Sequence, residues 1–363
     1  MRAATKPGRG RHRRRAISIA ATATALAVVS LPLGTQGIAA AQSGAGSGTA
    51  TSGYRVTATV NVGVHINDVA VDPGTGRLYA LDSVPEGDGN LFDDATLSSI
   101  EVGPAADGMF IYRKTPTIGI LNKLTVNPAT SQLYLDFVSP PFRSGFYSEG
   151  IVDETTGRFV EGPDISEGCG YIGAIAYDPK GRDLLRQFSE CGHTISGSGY
   201  SLESTDDTSA IAASTNGRVY GLDPAHGRLA VYVHPNRDPK PFRTVAVPRG
   251  TAHGMLALDE PRHLVIAASG NRITALDDRT GRTVKTGTVA GPVADIGVDP
   301  GTATLYVSGP DGLTIVDTRT GIVVKQITAL GSGGAISVDA EEHIAFVAFG
   351  TRVAAITSGA TRQ

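Results

Sequence analysis

The sequence predicts an all-β fold, a seven-bladed β-propeller whose N-terminal strand closes the last blade. Three observations predict it. An alternating apolar segment recurs seven times, each copy carries a small residue at a fixed place, and a strand-like segment near the start supplies what the seventh copy lacks. The composition agrees: with 46 Gly, 20 Pro and 18% charged residues among 363, the chain suits many short strands joined by tight turns.

The first 41 residues read as an address. Arg2, Lys6, Arg9, Arg11, Arg13, Arg14 and Arg15 form a basic head, an apolar run follows from Ala16 to Leu33, and Ala39, Ala40 and Ala41 supply small residues. That order is the signature of a secretory signal peptide, with cleavage expected after Ala41. Pro32 and Gly34 leave the run short for a retained membrane anchor. Arg13, Arg14 and Arg15 leave open whether export uses the general or the twin-arginine route. Residues 42–53 (QSGAGSGTATSG) are a flexible linker by composition. The head holds seven of the 32 basic residues and no acidic one. The remainder therefore sets 25 basic against 35 acidic side chains, a net of −10. A net-acidic chain of this kind gives no support for a nucleic-acid partner or an anionic membrane surface. No later segment is long and apolar enough to span a bilayer, and the expected product is a secreted monomer.

The repeats fill residues 54–357, leaving 358–363 as a tail. The first-strand segments are DVAVDPGTGRLYALD from Asp68, KLTVNPATSQLYLDF from Lys123, AIAYDPKGRDLLRQF from Ala174 and AIAASTNGRVYGLD from Ala210. MLALDEPRHLVIAAS from Met255, DIGVDPGTATLYVSG from Asp295 and AISVDAEEHIAFVAF from Ala335 complete the set. The residues opening the turns are Asp72, Asn127, Asp178, Ser214, Asp259, Asp299 and Asp339. In the fourth copy Ser214 is preferred to Asp223 because it leaves room for four strands. Two residues earlier stand Ala70, Thr125, Ala176, Ala212, Ala257, Gly297 and Ser337, all small, between larger apolar neighbours. A strand buried on both faces, one of them against a tight space, gives this pattern, and the innermost strand of a propeller blade is such a strand.

In Asp-Pro-x-Thr-Gly the Asp side chain can bond its own backbone, Pro presets φ, and Gly accepts a left-handed conformation. A second turn family recurs at Asp153, Asp277 and Asp317, so each unit reads as two hairpins. The seventh unit supplies three strands. Tyr54 to Gly63 (YRVTATVNVG) offers the fourth, so pairing the two ends would hide a sheet edge.

The strings DPGTGRLYALD, DPGTATLYVSG and TIVDTRTGIVVKQI resemble the YVTN-type repeats of secreted and surface seven-bladed bacterial propellers. The resemblance spans roughly residues 54–357 and is strongest from residue 254. It implies a scaffold shared by surface-layer proteins, lactonase-like hydrolases and an antibiotic-inactivating lyase, so it fixes no activity.

Hairpin turns of both families share one end of such units, and the irregular insertions share the other. Those insertions are Asp82–Ala95, Val138–Ser148, Gly162–Ile172 and Ser189–Gly199, all in the first three units. Variable loops on a rigid scaffold are where binding sits, so the ligand is expected on this loop end. Cys169 and Cys191 both fall there, and an even pair in an exported protein is expected as a disulfide.

At the start of the first strands stand Asp68, Lys123 and Asp295, with Asn67, Asn122 and His253 one or two residues before the same level. Asn67, Asp68, Asn122 and Lys123 are the candidate ligand-binding residues. Asp68 and Asp295 are the candidate metal ligands, and His253 and Asp295 the candidate catalytic groups. Convergent oxygen ligands suit Ca²⁺ or another divalent cation, which would polarise an ester or lactone carbonyl. The competing reading pairs Asp68 with Lys123 and leaves Asp295 in water at the rim. The acidic loop Asp82, Glu86, Asp88, Asp93, Asp94 fails the EF-hand pattern, and no nucleophile elbow, zinc-protease helix or phosphate-binding loop is present. Two functions follow. One is a binding module for a cell-envelope or extracellular ligand; the other is a metal-dependent, lactonase-like hydrolase or lyase with its site at the central mouth.

Overall fold

The computed structural model describes residues 53–358, except 64, 83–95, 104–107, 117–119, 128–129, 131, 139–146, 154–158, 165–171, 189–193, 197–200, 204–207, 234–237 and 251–252. The predicted signal segment, the linker up to residue 52, most of each insertion, and both cysteines lie outside the described residues.

The described chain is all-β. Strand β1 (Arg55–Asn61) comes first, and sheet 1 then runs β2 (Ile66–Asp72), β3 (Arg77–Asp82), β4 (Thr96–Val102) and β5 (Met109–Pro116). Sheet 2 is β6 (Ile120–Asn127), β7 (Gln132–Val138), β8 (Tyr147–Asp153) and β9 (Phe159–Asp164). Sheet 3 is β10 (Ile172–Asp178), β11 (Asp183–Phe188), β12 (Thr194–Ser196) and β13 (Ser201–Glu203). Sheet 4 is β14 (Ala210–Ala213), β15 (Arg218–Asp223), β16 (Arg228–Val233) and β17 (Arg243–Ala246). Sheet 5 is β18 (Gly254–Asp259), β19 (Leu264–Ser269), β20 (Arg272–Asp277) and β21 (Thr283–Thr288). Sheet 6 is β22 (Asp295–Asp299), β23 (Thr304–Gly309), β24 (Gly312–Asp317) and β25 (Val323–Ile327). Sheet 7 is β26 (Ile336–Asp339), β27 (Ile344–Phe349) and β28 (Arg352–Thr357), with β1 added beyond β28. Every described pairing is antiparallel, and β1 meets β28 from Arg55 opposite Thr357 to Asn61 opposite Arg352.

The first strands of consecutive sheets pack on one another: β2 on β6, β6 on β10, β10 on β14, β14 on β18, β18 on β22, and β22 on β26. Strand β26 in turn packs on β2. The small residues explain how they come so close. A Cβ on Gly297 of β22 would stand 2.7 Å from Ile336 Cγ2 and 2.8 Å from Val338 Cγ2 of β26. Between the sheets lie apolar clusters, such as Tyr79, Leu81 and Leu97 of sheet 1 against Leu124, Leu133 and Leu135 of sheet 2. Burying such side chains contributes roughly 1.5–3 kcal/mol each, which is the main stabilising force of the fold.

The turn-opening residues are buried acceptors. Asp72 takes Gly74 N–H at 2.9 Å and Thr75 Oγ1 at 2.8 Å, and Asp299 takes Gly301 N–H at 2.9 Å and Thr302 Oγ1 at 2.6 Å. Ser214, as read from the sequence, opens the first turn of sheet 4, and Asp223-Pro224 instead falls between β15 and β16. The left-handed place closing this turn is not reserved for glycine: Gly76 occupies it in sheet 1, but Arg182, His263, Ala303 and His343 do so elsewhere. The Asp-anchored turn imposes the conformation even where a Cβ costs about 1 kcal/mol. Among the described residues no helix is long and apolar enough to cross a membrane.

Candidate functional site

The two ends of the sheets differ. At the turn end, polar side chains staple neighbouring sheets. Thr318 Oγ1 donates to Asp259 at 2.6 Å, Arg262 donates to Asp259 at 3.0 Å and to Pro300 O at 2.6 Å, and His343 Nδ1 lies 3.0 Å from Asp299. Asp259 and Asp299 are fully buried, so these bonds occupy groups that would otherwise be costly to bury. Chemistry spent this way is scaffold chemistry.

At the loop end the first strands of sheets 1–3 carry a feature not found in the corresponding described pairs of sheets 4–7. Each has a β-bulge: the register shifts between Ile66 and Asp68, between Leu121 and Lys123, and between Ile172 and Ala174. The extra residues are Asn67, Asn122 and Gly173. A bulge inserts one residue, sharpens the local twist and re-aims the side chains around it, and bulges are over-represented beside functional sites. The three bulged sheets are the three whose sequence carries the long insertions.

Asp68 and Lys123 stand just inside the first two bulges, and Asp295 opens β22, which has none. Asp68 is buried; its Oδ1 accepts Val69 N–H at 3.0 Å, its Oδ2 accepts Leu124 N–H of sheet 2 at 3.1 Å, and Lys123 Nζ lies 3.9 Å away. Asp295 repeats the arrangement one sheet before sheet 7. Its Oδ1 accepts Ile296 N–H at 2.8 Å and its Oδ2 accepts Ile336 N–H at 2.7 Å. Each carboxylate thus ties its own strand to the first strand of the next sheet. Burial pushes the Asp68 carboxyl above the usual carboxylate range, against the Lys123 ammonium and the two amides. Burial likewise raises Asp295, to about 6, opposed by Lys123 and the Ile336 amide and reinforced by the negative charge of Asp68. Lys123, about two-fifths exposed, draws both carboxyls down against burial.

The Asp68–Lys123 pair of the competing sequence reading is therefore present, whereas Asp295 is held by two backbone amides rather than left in water. A hard cation does not fit this donor set. The two carboxylates offer four oxygens, each already accepting one amide proton beside the Lys123 ammonium, where Ca²⁺ takes six to eight oxygens. Among the described residues no three His, Cys, Asp or Glu are grouped to hold a metal ion. Of the remaining candidates, Asn67 is partly buried in its bulge, His253 stands exposed one residue before β18, and Asn122 is the bulge residue of β6. Cys169 and Cys191, and hence their pairing, lie outside the described residues, as does the acidic loop beyond Asp82. The bulges were not read from the sequence. Their signal was the pair of polar residues, Asn67-Asp68 and Asn122-Lys123, placed directly before the alternating apolar run.

Compared with known proteins, the chain matches no protein-family model, and no curated protein matches it at a significant level.

Proposed function

We propose that the chain is a secreted seven-bladed β-propeller of the YVTN-repeat kind. It serves as an extracytoplasmic binding module and holds a cell-envelope or extracellular ligand on the loop end of sheets 1–3. Seven four-stranded sheets, first strands that pack in cyclic order, and a seventh sheet sharing strands from both chain ends support the propeller. The observation that carries the binding reading is the confinement of β-bulges at Asn67, Asn122 and Gly173 to the three sheets bearing the insertions. Beside them Lys123 offers a partly exposed cation, while Asp68 and Asp295 fix the strands that present it.

The alternative, a metal-dependent hydrolase or lyase at the same central mouth, draws support from Asp295, whose carboxyl at about 6 titrates where a general acid or base works. It requires a cation to share carboxylate oxygens that already accept backbone amides, next to the Lys123 ammonium, which the binding reading does not.

The test is site-specific photo-crosslinking. A benzophenone side chain is placed at His65 or Gly173 on the loop end, or at Arg279 or Arg319 on the turn end, and each protein is exposed to cell-envelope extract. Adducts confined to the loop-end positions are expected. Adducts equally frequent at the turn end would remove the basis of the proposal.

A further inference from the structure

Sheet 3 is unusually narrow. Its third and fourth strands, β12 and β13, have three residues each, whereas β16 and β17 of sheet 4 have six and four. Sheet 4 therefore outreaches the sheet beside it. On the face of sheet 4 turned to sheet 3, Val219 and Tyr232 pack against Leu185, Ile195 and Leu202. Beyond that contact lies a cavity of about 450 Å³, lined by Glu203, Gly221, Asp223, Arg228, Ala230, Tyr232, Pro241 and Thr244. That volume falls within the range of small-molecule sites. Gly221 pairs with Ala230 across β15 and β16, so a bare backbone and one methyl group line this part of the hollow.

The polar groups around the hollow divide into engaged and idle. Tyr232 donates its hydroxyl to Glu203 O at 2.6 Å, and its fully buried ring closes the floor of the hollow. Asp223 is buried and takes His226 N–H at 2.9 Å, with the His226 ring 3.1 Å away. The Glu203 carboxylate, the Arg228 guanidinium and the Thr244 hydroxyl are different. Among the described residues none of the three has a hydrogen bond or ion pair, and the two opposite charges do not pair with each other. An acid and a guanidinium that border one cavity and leave each other unpaired complement a ligand carrying both charges at its two ends.

We propose that this cleft between sheets 3 and 4 binds a small zwitterion, such as a short peptide with free ends. Arg228 takes the carboxylate through its two-pronged donor face, a geometry to which guanidinium is suited. Glu203 takes the ammonium, Thr244 adds a hydroxyl, and an apolar side chain of the ligand lies on Pro241 and Ala230. The site is separate from the loop-end cluster of Asp68, Lys123 and Asp295.

Calorimetric titration of the full chain tests it, with alanyl-phenylalanine, its N-acetyl derivative and its C-terminal amide as probes. The free dipeptide is expected to bind, and blocking either end is expected to weaken it at least tenfold. Arg228→Gln should erase the preference for acid over amide, and Glu203→Gln the preference for free over acetylated amine. Both side chains are exposed, so the variants should keep the wild-type melting temperature. Asp68→Asn should leave dipeptide binding unchanged, which separates this site from the loop-end proposal. No heat from any probe at millimolar concentration, equal binding of all three, or full discrimination retained in both variants would each overturn it.

Discussion

Replacing Asp295 by Asn should abolish one pH-dependent step in stability. In the folded chain burial holds the Asp295 carboxyl at about 6, above its ordinary value of 3.8. The folded state therefore binds the proton more tightly than the unfolded chain, and between about pH 4 and pH 6 it carries more protons. The stability this contributes is present at low pH and is lost as pH rises through the folded value. A shift of that size corresponds to about 3 kcal/mol between the two limits. Water reaching the partly exposed side chain reduces the figure, so about 2 kcal/mol is expected. Asn keeps the shape and one acceptor but gives up the second, leaving the amide of Ile296 or Ile336 unpaired at a cost of about 1–3 kcal/mol independent of pH. The assay is urea unfolding of both proteins at half-unit steps from pH 4 to pH 7.5. The stability of wild type minus that of the variant should fall by about 2 kcal/mol across the series, because unrelated groups cancel in the difference. A flat difference would refute the claim that a half-buried, poorly compensated charge sits at the start of β22.

Lys123→Met removes the counter-ion shared by both carboxylates. The same pH step should move upward and stability at pH 7 should fall by about 1 kcal/mol, read from denaturation midpoints at pH 5 and pH 7.5. Gly297→Val places side-chain atoms where Ile336 and Val338 already stand, so overpacking should cost about 1–3 kcal/mol, seen in thermal unfolding at fixed pH. A chain lacking residues 54–61 loses β1, the Tyr54 ring against Tyr306 and the Lys325 bond to Tyr54 O at 2.6 Å. It should associate through the bare edge of β28 in light scattering, and a peptide of the missing segment should suppress that association.

The first strands were legible because two signals coincide there. Apolar alternation with period two marks the strand, and an Asp or Ser that bonds its own backbone marks where it stops; Asp299 and Ser214 show both. The role of YRVTATVNVG was legible from counting, since a seventh unit with three strands leaves one edge open. The bulges at Asn67 and Asn122 left only the polar pair before each apolar run as a trace, because one inserted residue changes neither composition nor the alternation beyond it. The fate of Asp295 was not legible. Its second partner, the Ile336 amide, is 41 residues away and on another sheet, and a sequence shows that distance but not the contact. The cleft beside Tyr232 was hidden for a further reason. It arises from strands that sheet 3 has shortened, so no residue announces it.

The pairing of β1 with β28 also sets an order of events. Thr57 bonds Ala355 O, a contact spanning 298 residues. Closing so long a stretch of chain costs about 5 kcal/mol of entropy before that contact returns anything. The hairpins of sheets 1–6 can form as the polypeptide emerges, but sheet 7 must wait for its last strand. Until then β1 is an unclaimed strand, available to any exposed edge it meets. A protein assembled this way is most exposed to error in the interval after translation and before its two ends meet. Factors that slow that meeting should lower the yield of folded protein without changing the stability of what has folded.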